Sequence, residues 1–366
     1  MLQVVKEAAP GMANREIFEG DRTLRARIVM GVLVLVLTGA ALFSLFWGAS
    51  DVPTLEVLLA WAGLSGGEAL RPTDHLIVET IRLPRILMGM LIGAALAVSG
   101  AVMQGLFRNP LADPGIVGVS AGAALGAISV IVLGPTVLGW FVVLTGFFAM
   151  PIAAFIGAVS VTFILYAIAT RQGRTSVATM LLAGIAIGSF AMAITGILTF
   201  IADDLQLRQL TFWGLGSLAG GTWTKIASAG PIILVALAAT PFLARSLNAL
   251  ALGEGAALHM GVPVQRMKNI AILAVSAATG AAVAISGGIG FVGIVVPHIL
   301  RLAIGPDHRY LLPCSALLGA AFLILADCVA RTIVAPAELP IGIVTAAIGA
   351  PFFLWILLRK RGIVDL

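Results

Sequence analysis

Few side chains in this 366-residue sequence could do chemistry, and those few are arginines and carboxylates rather than nucleophiles. Arg82 and Arg85 stand three apart in RLPR, and Asp327 and Arg331 four apart in DCVAR. A guanidinium stays charged and grips a carboxylate with two prongs, so these positions suit ion pairing. The spacing of four puts Asp327 and Arg331 on one helix face as an internal pair. His298, Met88, Met90, Met103, Met180 and Met192 carry atoms that metals accept, but a methionine stripe packs more often than it ligates. These residues read as packing, and no metal site is expected. No GxxxxGK[ST] phosphate loop occurs, so the chain is expected to hold no ATP of its own and to be no enzyme.

The elements that must position these residues are apolar. The sequence is 60% hydrophobic and 11% charged, with a mean hydropathy of +1.08. A soluble domain carries about 25% charged residues. Runs long enough to cross a bilayer, about 20 residues, recur along the chain. They predict ten spans near 28–47, 81–106, 115–133, 140–169, 175–201, 226–244, 269–286, 291–304, 312–334 and 340–358. The fold class expected is an all-α polytopic membrane protein. The eighth span is short, and Pro151 gives the fourth a kink or a late start. Residues 1–27 read as a retained N-terminal tail, 28–358 as one transmembrane domain and 359–366 as a C-terminal tail. Small-xxx-small patterns at Gly89/Gly93, Gly118/Gly122/Gly126 and Gly184/Gly188 predict close helix packing. Cys314 and Cys328 fall on one helix about 21 Å apart, too far for a disulfide.

Lys and Arg counts orient the spans. With the N-terminus inside, sixteen of the 22 basic residues lie on the inner side. Arg71, Arg82, Arg85, Arg208, Lys225 and Arg331 remain outside and resist the bias. Both termini are then cytoplasmic. RNPLADPGIVG (108–118) becomes an inner turn between the second and third spans. Its prolines end one helix and start the next, with Asp113 as N-cap of the third span and Pro114 at its first position. The longest inner loop, 246–266, reads as short helical turns broken by Gly253, Gly255 and Gly261. A compact helix at the membrane face suits docking into a partner's groove.

Several long segments in one order resemble the permease subunits of ABC importers for iron chelates, haem and cobalamin. They are RLPR (82–85), GAALAVSGAVMQGLFRNPLADPGIVGVSAGA (93–123), LGEGAALHMGV (252–262), SGGIGFVGIVVPHILRL (286–302), GPDHRYLLP (305–313) and ADCVARTIVAPAELPIGIVTAAIGAPFFLWILL (326–358). The resemblance covers the chain from about Ile81 onward. It implies the type II importer permease fold, with ten helices per subunit, in a homodimer with the pathway on its two-fold axis. It also implies two partner ATPases that carry ATP and Mg, an outer substrate-binding protein, a multi-pass place in the bacterial inner membrane among its lipids, and no nucleic acid. By the same resemblance Arg82, Arg85 and Arg331 meet acids of the binding protein. Asn109 and Leu111 fall on a cytoplasmic gate, with Thr175 and Ser176 of loop 171–176 as its other part. Leu252, Gly253, Glu254, Ala256, Ala257, His259 and Gly261 form the ATPase coupling segment. Relatives commonly carry consecutive acids there, and Gly255 removes one.

The segment LRQLTFWGLGSLAGGTWTK (207–225) and the C-terminal block look closest to haem permeases, so haem is the expected cargo, ahead of a ferric siderophore and cobalamin. Two other classes fit the composition. An ion-coupled secondary carrier would need an intramembrane acid, for which Asp327 is the only residue well inside a span. A membrane sensor or scaffold would use the same docking surfaces without transport.

Overall fold

A computed structural model of the chain describes residues 22–48, 52–62, 64, 71–171 and 174–359. The two tails lie outside the described residues except at 22–27 and 359. Helix α1 (Thr23–Phe46) opens five residues before the expected span, so Arg25 and Arg27 stand on its first turns rather than in a tail. Two short helices follow, α2 (Thr54–Trp61) and α3 (Pro72–Leu76). A wide π-type turn, Ile77–Arg82, leads from α3 into α4 (Leu83–Phe107). Pro84 cannot donate to a carbonyl four residues back and its ring crowds it, which favours a widened turn just before it.

Next come α5 (Val119–Leu133), α6 (Gly139–Thr145) and α7 (Ala149–Ala169). Pro151 lies in the first turn of α7, after a 3-10 turn at Gly146–Phe148, so the late start is what occurs. A two-residue hairpin, β1 (Thr170–Arg171) with β2 (Arg174–Thr175), pairs Thr170 with Thr175. The chain continues through α8 (Val177–Ile201), α9 (Asp204–Leu215), α10 (Trp223–Ala251), α11 (Glu254–His259), α12 (Val264–Ser286), α13 (Val292–Ile304), α14 (His308–Ala330) and α15 (Ile341–Arg359). Seven helical stretches are long and apolar enough to cross a membrane. Three shorter apolar helices, α5, α13 and α15, complete the ten expected spans among the described residues. Helix α13 is short because Phe291, at φ 68°, breaks the chain from the glycine run before it.

Helix α4 is the axis of the fold. Nearly every residue from Ile92 to Phe107 is buried, against α14, α10, α12 and α13. Lipid offers no hydrophobic drive for helix association, so close backbone approach must supply it. A methyl group on Gly93 would strike the Gly319 carbonyl of α14, and one on Gly100 would strike Gly293 of α13. Gly122 and Gly126 meet Gly157 and Ala153 of α7 in the same way. Gly188 has open space beside it instead. It lies on a face of α8 that also exposes Leu182, Ile185 and Met192. Cys314 and Cys328 are both buried, free and on α14.

Candidate functional site

The three arginines expected on the outer side sit below the surface. Arg82, Arg85 and Arg331 are 3%, 7% and 5% exposed. Arg85 donates from Nε and NH2 to both oxygens of Asp327 at 2.8–3.1 Å. Its NH1 and NH2 also donate to the two carboxylate oxygens of Glu338, both at 2.9 Å. Arg82 donates to the Leu45 carbonyl at 2.7 Å and to Thr54 Oγ1 at 2.9 Å. Arg331 donates to the Ser44 carbonyl and hydroxyl at 2.7 and 2.8 Å. Two guanidiniums therefore cap the last carbonyls of α1, where positive charge is favoured.

The expected Asp327–Arg331 pair is present as a long ion contact, with Arg331 Nε 3.9 Å from Asp327, while Arg85 of α4 takes the hydrogen bonds to that carboxylate. The i,i+4 spacing brought the two residues to one face, but a two-pronged partner 242 residues away satisfies more of the carboxylate's lone pairs. The three arginines do not stand as free prongs. A charge in so dry a wall must be paired, and the chain supplies its own pairs. Of the paired acids only Glu338, with a side chain 39% exposed, reaches solvent. Sequence reasoning missed Glu338; its position between two prolines in APAELP, on an outer loop, was the available signal.

At the opposite end of α4, the turn that follows it is a Schellman motif. Arg108 is left-handed at φ 50°, the Asn109 amide donates to the Gln104 carbonyl and the Arg108 amide to the Gly105 carbonyl. Asn109 Oδ1 accepts from the Leu111 amide at 2.9 Å, closing an Asx turn. Asp113 Oδ1 accepts from the Gly115 amide at 2.8 Å with Pro114 at the first position, as the sequence predicts. The element it caps is a 3-10 turn, Pro114–Val117, and not α5 itself. Gly118, at φ 79°, separates the two. Burial pushes the Asp113 carboxyl above its ordinary range, and the Gly115 amide only partly offsets this.

The 3-10 turn packs on α8. Ser176 caps that helix by accepting from the Thr179 amide, and Thr175 closes the hairpin just before it. The two expected gate segments thus flank the start of α8. Residues 172–173 of the intervening loop lie outside the described residues.

The segment expected as a loop over 246–266 is shorter: α10 runs to Ala251, α12 begins at Val264, and Gly255 lies inside a helix rather than breaking it. Gly253 turns the chain at φ 108°, α11 follows, and Gly261, at φ 78°, ends it in a second Schellman motif. Ala257 is buried beneath, while Leu252, Leu258 and Met260 are 71%, 61% and 53% exposed. Ala256 and His259 are also exposed. Glu254 bonds Lys268 of α12 at 2.5 Å, so the one acid left in the segment is spent inside the chain. The Arg108 guanidinium reaches to the side of Gly253, which sets the turn after α4 against segment 252–262.

A further polar ring ties α10 to α14 on this side. Asn248 donates to Asp307 at 2.7 Å, its oxygen accepts from the His308 amide, and Arg309 pairs with Asp307 at 2.7 Å. Burial pushes the Asp307 carboxyl up, but hydrogen bonds from Arg309 and Asn248 outweigh it and hold the group below its usual range. Arg301 donates to Gln104, whose amide donates to the Gly293 carbonyl at 2.9 Å.

The sulfur and imidazole side chains singled out in the sequence are scattered through the bundle. Met88, Met103 and Met180 are in the core and Met192 faces outward. His298 is buried with its ring edge-on to Phe352, 6.2 Å between centroids. Among the described residues no group of His, Cys, Asp and Glu could hold a metal ion.

Among the described residues ten apolar helices, one of them buried along most of its length, form a polytopic membrane fold. The chain belongs to the FecCD transport family, which it matches over residues 33–359, and is an ABC importer permease. It is 44% identical to the hemin transport system permease HmuU of Yersinia pestis, covering 92% of this chain and 97% of that protein. It is 46% identical to the cobalamin import permease BtuC of Halobacterium salinarum, over 85% and 82%. Among solved structures, a metal-chelate type ABC transporter in an inward-facing conformation is similar, with a TM-score of 0.77, 31% identity and coverage of 91% and 99%.

Proposed function

We propose that the chain is the permease of a haem importer. The observation that carries this is the match to a hemin permease along almost the whole of both chains. A cobalamin cargo is the second reading, favoured by the slightly higher identity to a cobalamin permease over a shorter span. A ferric siderophore is third. The ion-coupled carrier is disfavoured because Asp327, the acid such a carrier would use, is locked in hydrogen bonds to Arg85.

In this reading two copies of the chain meet in a bacterial inner membrane, with both termini cytoplasmic. Two ATPases bind the knob of Leu252, Leu258 and Met260, and their ATP and Mg drive the switch between outward- and inward-facing states. The turn at Asn109 and Leu111 and the segment at Thr175 and Ser176 close the inner end. Each is capped and hydrogen-bonded, so each moves as a body. A substrate-binding protein docks on the outer face at Arg82, Arg85 and Arg331, which also hold that face in shape.

The test is uptake into liposomes containing the permease with its ATPase and binding protein. Haem, a ferric siderophore and cobalamin are offered in turn with ATP. ATP-dependent uptake of haem alone is the expected result. Uptake of another chelate retires haem as the cargo, and uptake driven by a pH gradient without ATP retires the importer.

A further inference from the structure

The segment 207–225, singled out in the sequence, builds the wall of a cavity of about 590 Å³ at the outer end of the bundle. That size lies within the range of ligand sites, about 300–1,000 Å³. Helix α9 contributes Arg208, Phe212 and Trp213, the link to α10 contributes Ser217, α10 contributes Lys225, and α12 ends on it at Ser286. Among the described residues no carboxylate pairs with Arg208 or Lys225. This differs from Arg85, which two carboxylates hold. The Arg208 guanidinium lies 5.8 Å from the Phe212 ring centroid. The Trp213 indole N–H is buried without a hydrogen-bond partner. Gly220 leaves room for the Lys225 ammonium, since a methyl group there would come within 3.0 Å of Nζ.

Two cations without a carboxylate partner among the described residues, Arg208 exposed and Lys225 half-buried, line one cavity with aromatic walls and suit an anion with a flat apolar body. We propose that this cavity is a holding site for a planar ligand bearing carboxylates. The ring lies against Phe212 and Trp213, and the carboxylates are taken by Arg208 and Lys225. The proposal deepens the importer reading and rests on it for the source of the ligand, the cargo on its way in. A membrane lipid with an anionic headgroup shares part of this chemistry, and the experiment separates the two.

The permease assembled with its ATPase, in nanodiscs of phosphatidylcholine, is titrated with protoporphyrin IX and with its dimethyl ester, and binding is read by quenching of tryptophan fluorescence. The diacid is expected to bind about 10- to 100-fold more tightly than the diester, the scale of hydrogen bonds to charged groups. Arg208→Gln with Lys225→Gln removes that preference while leaving the diester affinity in place, which also shows the variant to be folded. Arg208→Lys with Lys225→Arg keeps the preference. Equal affinity for diacid and diester, or a preference that survives the double glutamine variant, overturns the site. Loss of the preference when phosphatidylglycerol replaces phosphatidylcholine overturns the cargo assignment in favour of a lipid headgroup. Liposome uptake of haem is scored separately. Uptake without the preference sinks this site alone, and the preference without uptake sinks the haem reading alone.

Discussion

Arg85 shows how one side chain is committed by its surroundings. It is held by a buried carboxylate on one side and a half-exposed one on the other. The two should not be equal. Asp327→Asn leaves part of a buried charge without compensation and is expected to cost about 3–5 kcal/mol. Glu338→Gln is expected to cost about 1 kcal/mol or less, because water screens that side. Thermal unfolding of the purified protein in detergent compares them, and equal losses would refute the asymmetry. Asp113 makes a different case. Its carboxyl is raised by burial, so the folded state holds the proton more tightly than the unfolded chain does. Stability contributed this way is present at low pH and lost as pH rises through the window between the ordinary and the raised value. Asp113→Asn still caps the turn and is expected to raise the melting temperature at pH 7, the gain fading toward about pH 4. Asp113→Ala, which cannot cap, should lose about 0.5–2 kcal/mol toward pH 4 and less at pH 7, where it also removes the cost of the buried charge.

At the scale of elements, the crossings of α4 with α13 and α14 depend on glycine because the neighbour is backbone, which cannot rotate aside. Gly100→Val is expected to cost about 3 kcal/mol, the upper end of overpacking, and to lower the yield of folded protein. Gly188→Val, on an open face, should cost less than 1 kcal/mol in the same measurement. Helix α11 is the opposite kind of element. It is held from beneath by Ala257, Gly261 and the Glu254–Lys268 pair, and it spends its exposed apolar side chains on nothing inside the chain. Leu258→Asp should leave the melting temperature of the isolated permease unchanged. It should abolish co-purification of the ATPase and ATP-driven uptake. Retained assembly would remove α11 from the coupling role.

For the whole molecule, the unresolved demand is the outward face of α8, where Ile185, Met192 and Phe200 are all more than half exposed. Lipid can cover such a face, and so can a second copy. Because both native thiols are buried, single cysteines placed at 185, 192 and 200 report contact cleanly. At least one of the three is expected to form a disulfide-linked dimer under mild oxidation, while a cysteine at Val235 on α10, equally exposed, should not. No cross-link at any of the three would place the dimer contact elsewhere.

The sequence by itself determined the membrane class, the ten spans and the local stops. Those follow from hydropathy over some 20 residues and from proline and glycine at turns, and each acts within a few residues of chain. The late start of α7 at Pro151, the cap at Asp113 and the turns at Gly253 and Gly261 were legible for that reason. The family could also be read from motif order, and the small-residue patterns at Gly93, Gly122 and Gly126 announced packing without naming the partner helix. Only the tertiary structure decided the pairings. Asp327 gave its hydrogen bonds to Arg85 and kept only a long contact with Arg331, Glu338 arrived from a loop, Glu254 was spent on Lys268, and among the described residues no carboxylate reached Arg208 or Lys225 around one cavity. Which charge meets which in a dry bundle depends on helices brought together from distant parts of the chain. Spacing along the sequence carries no record of that choice.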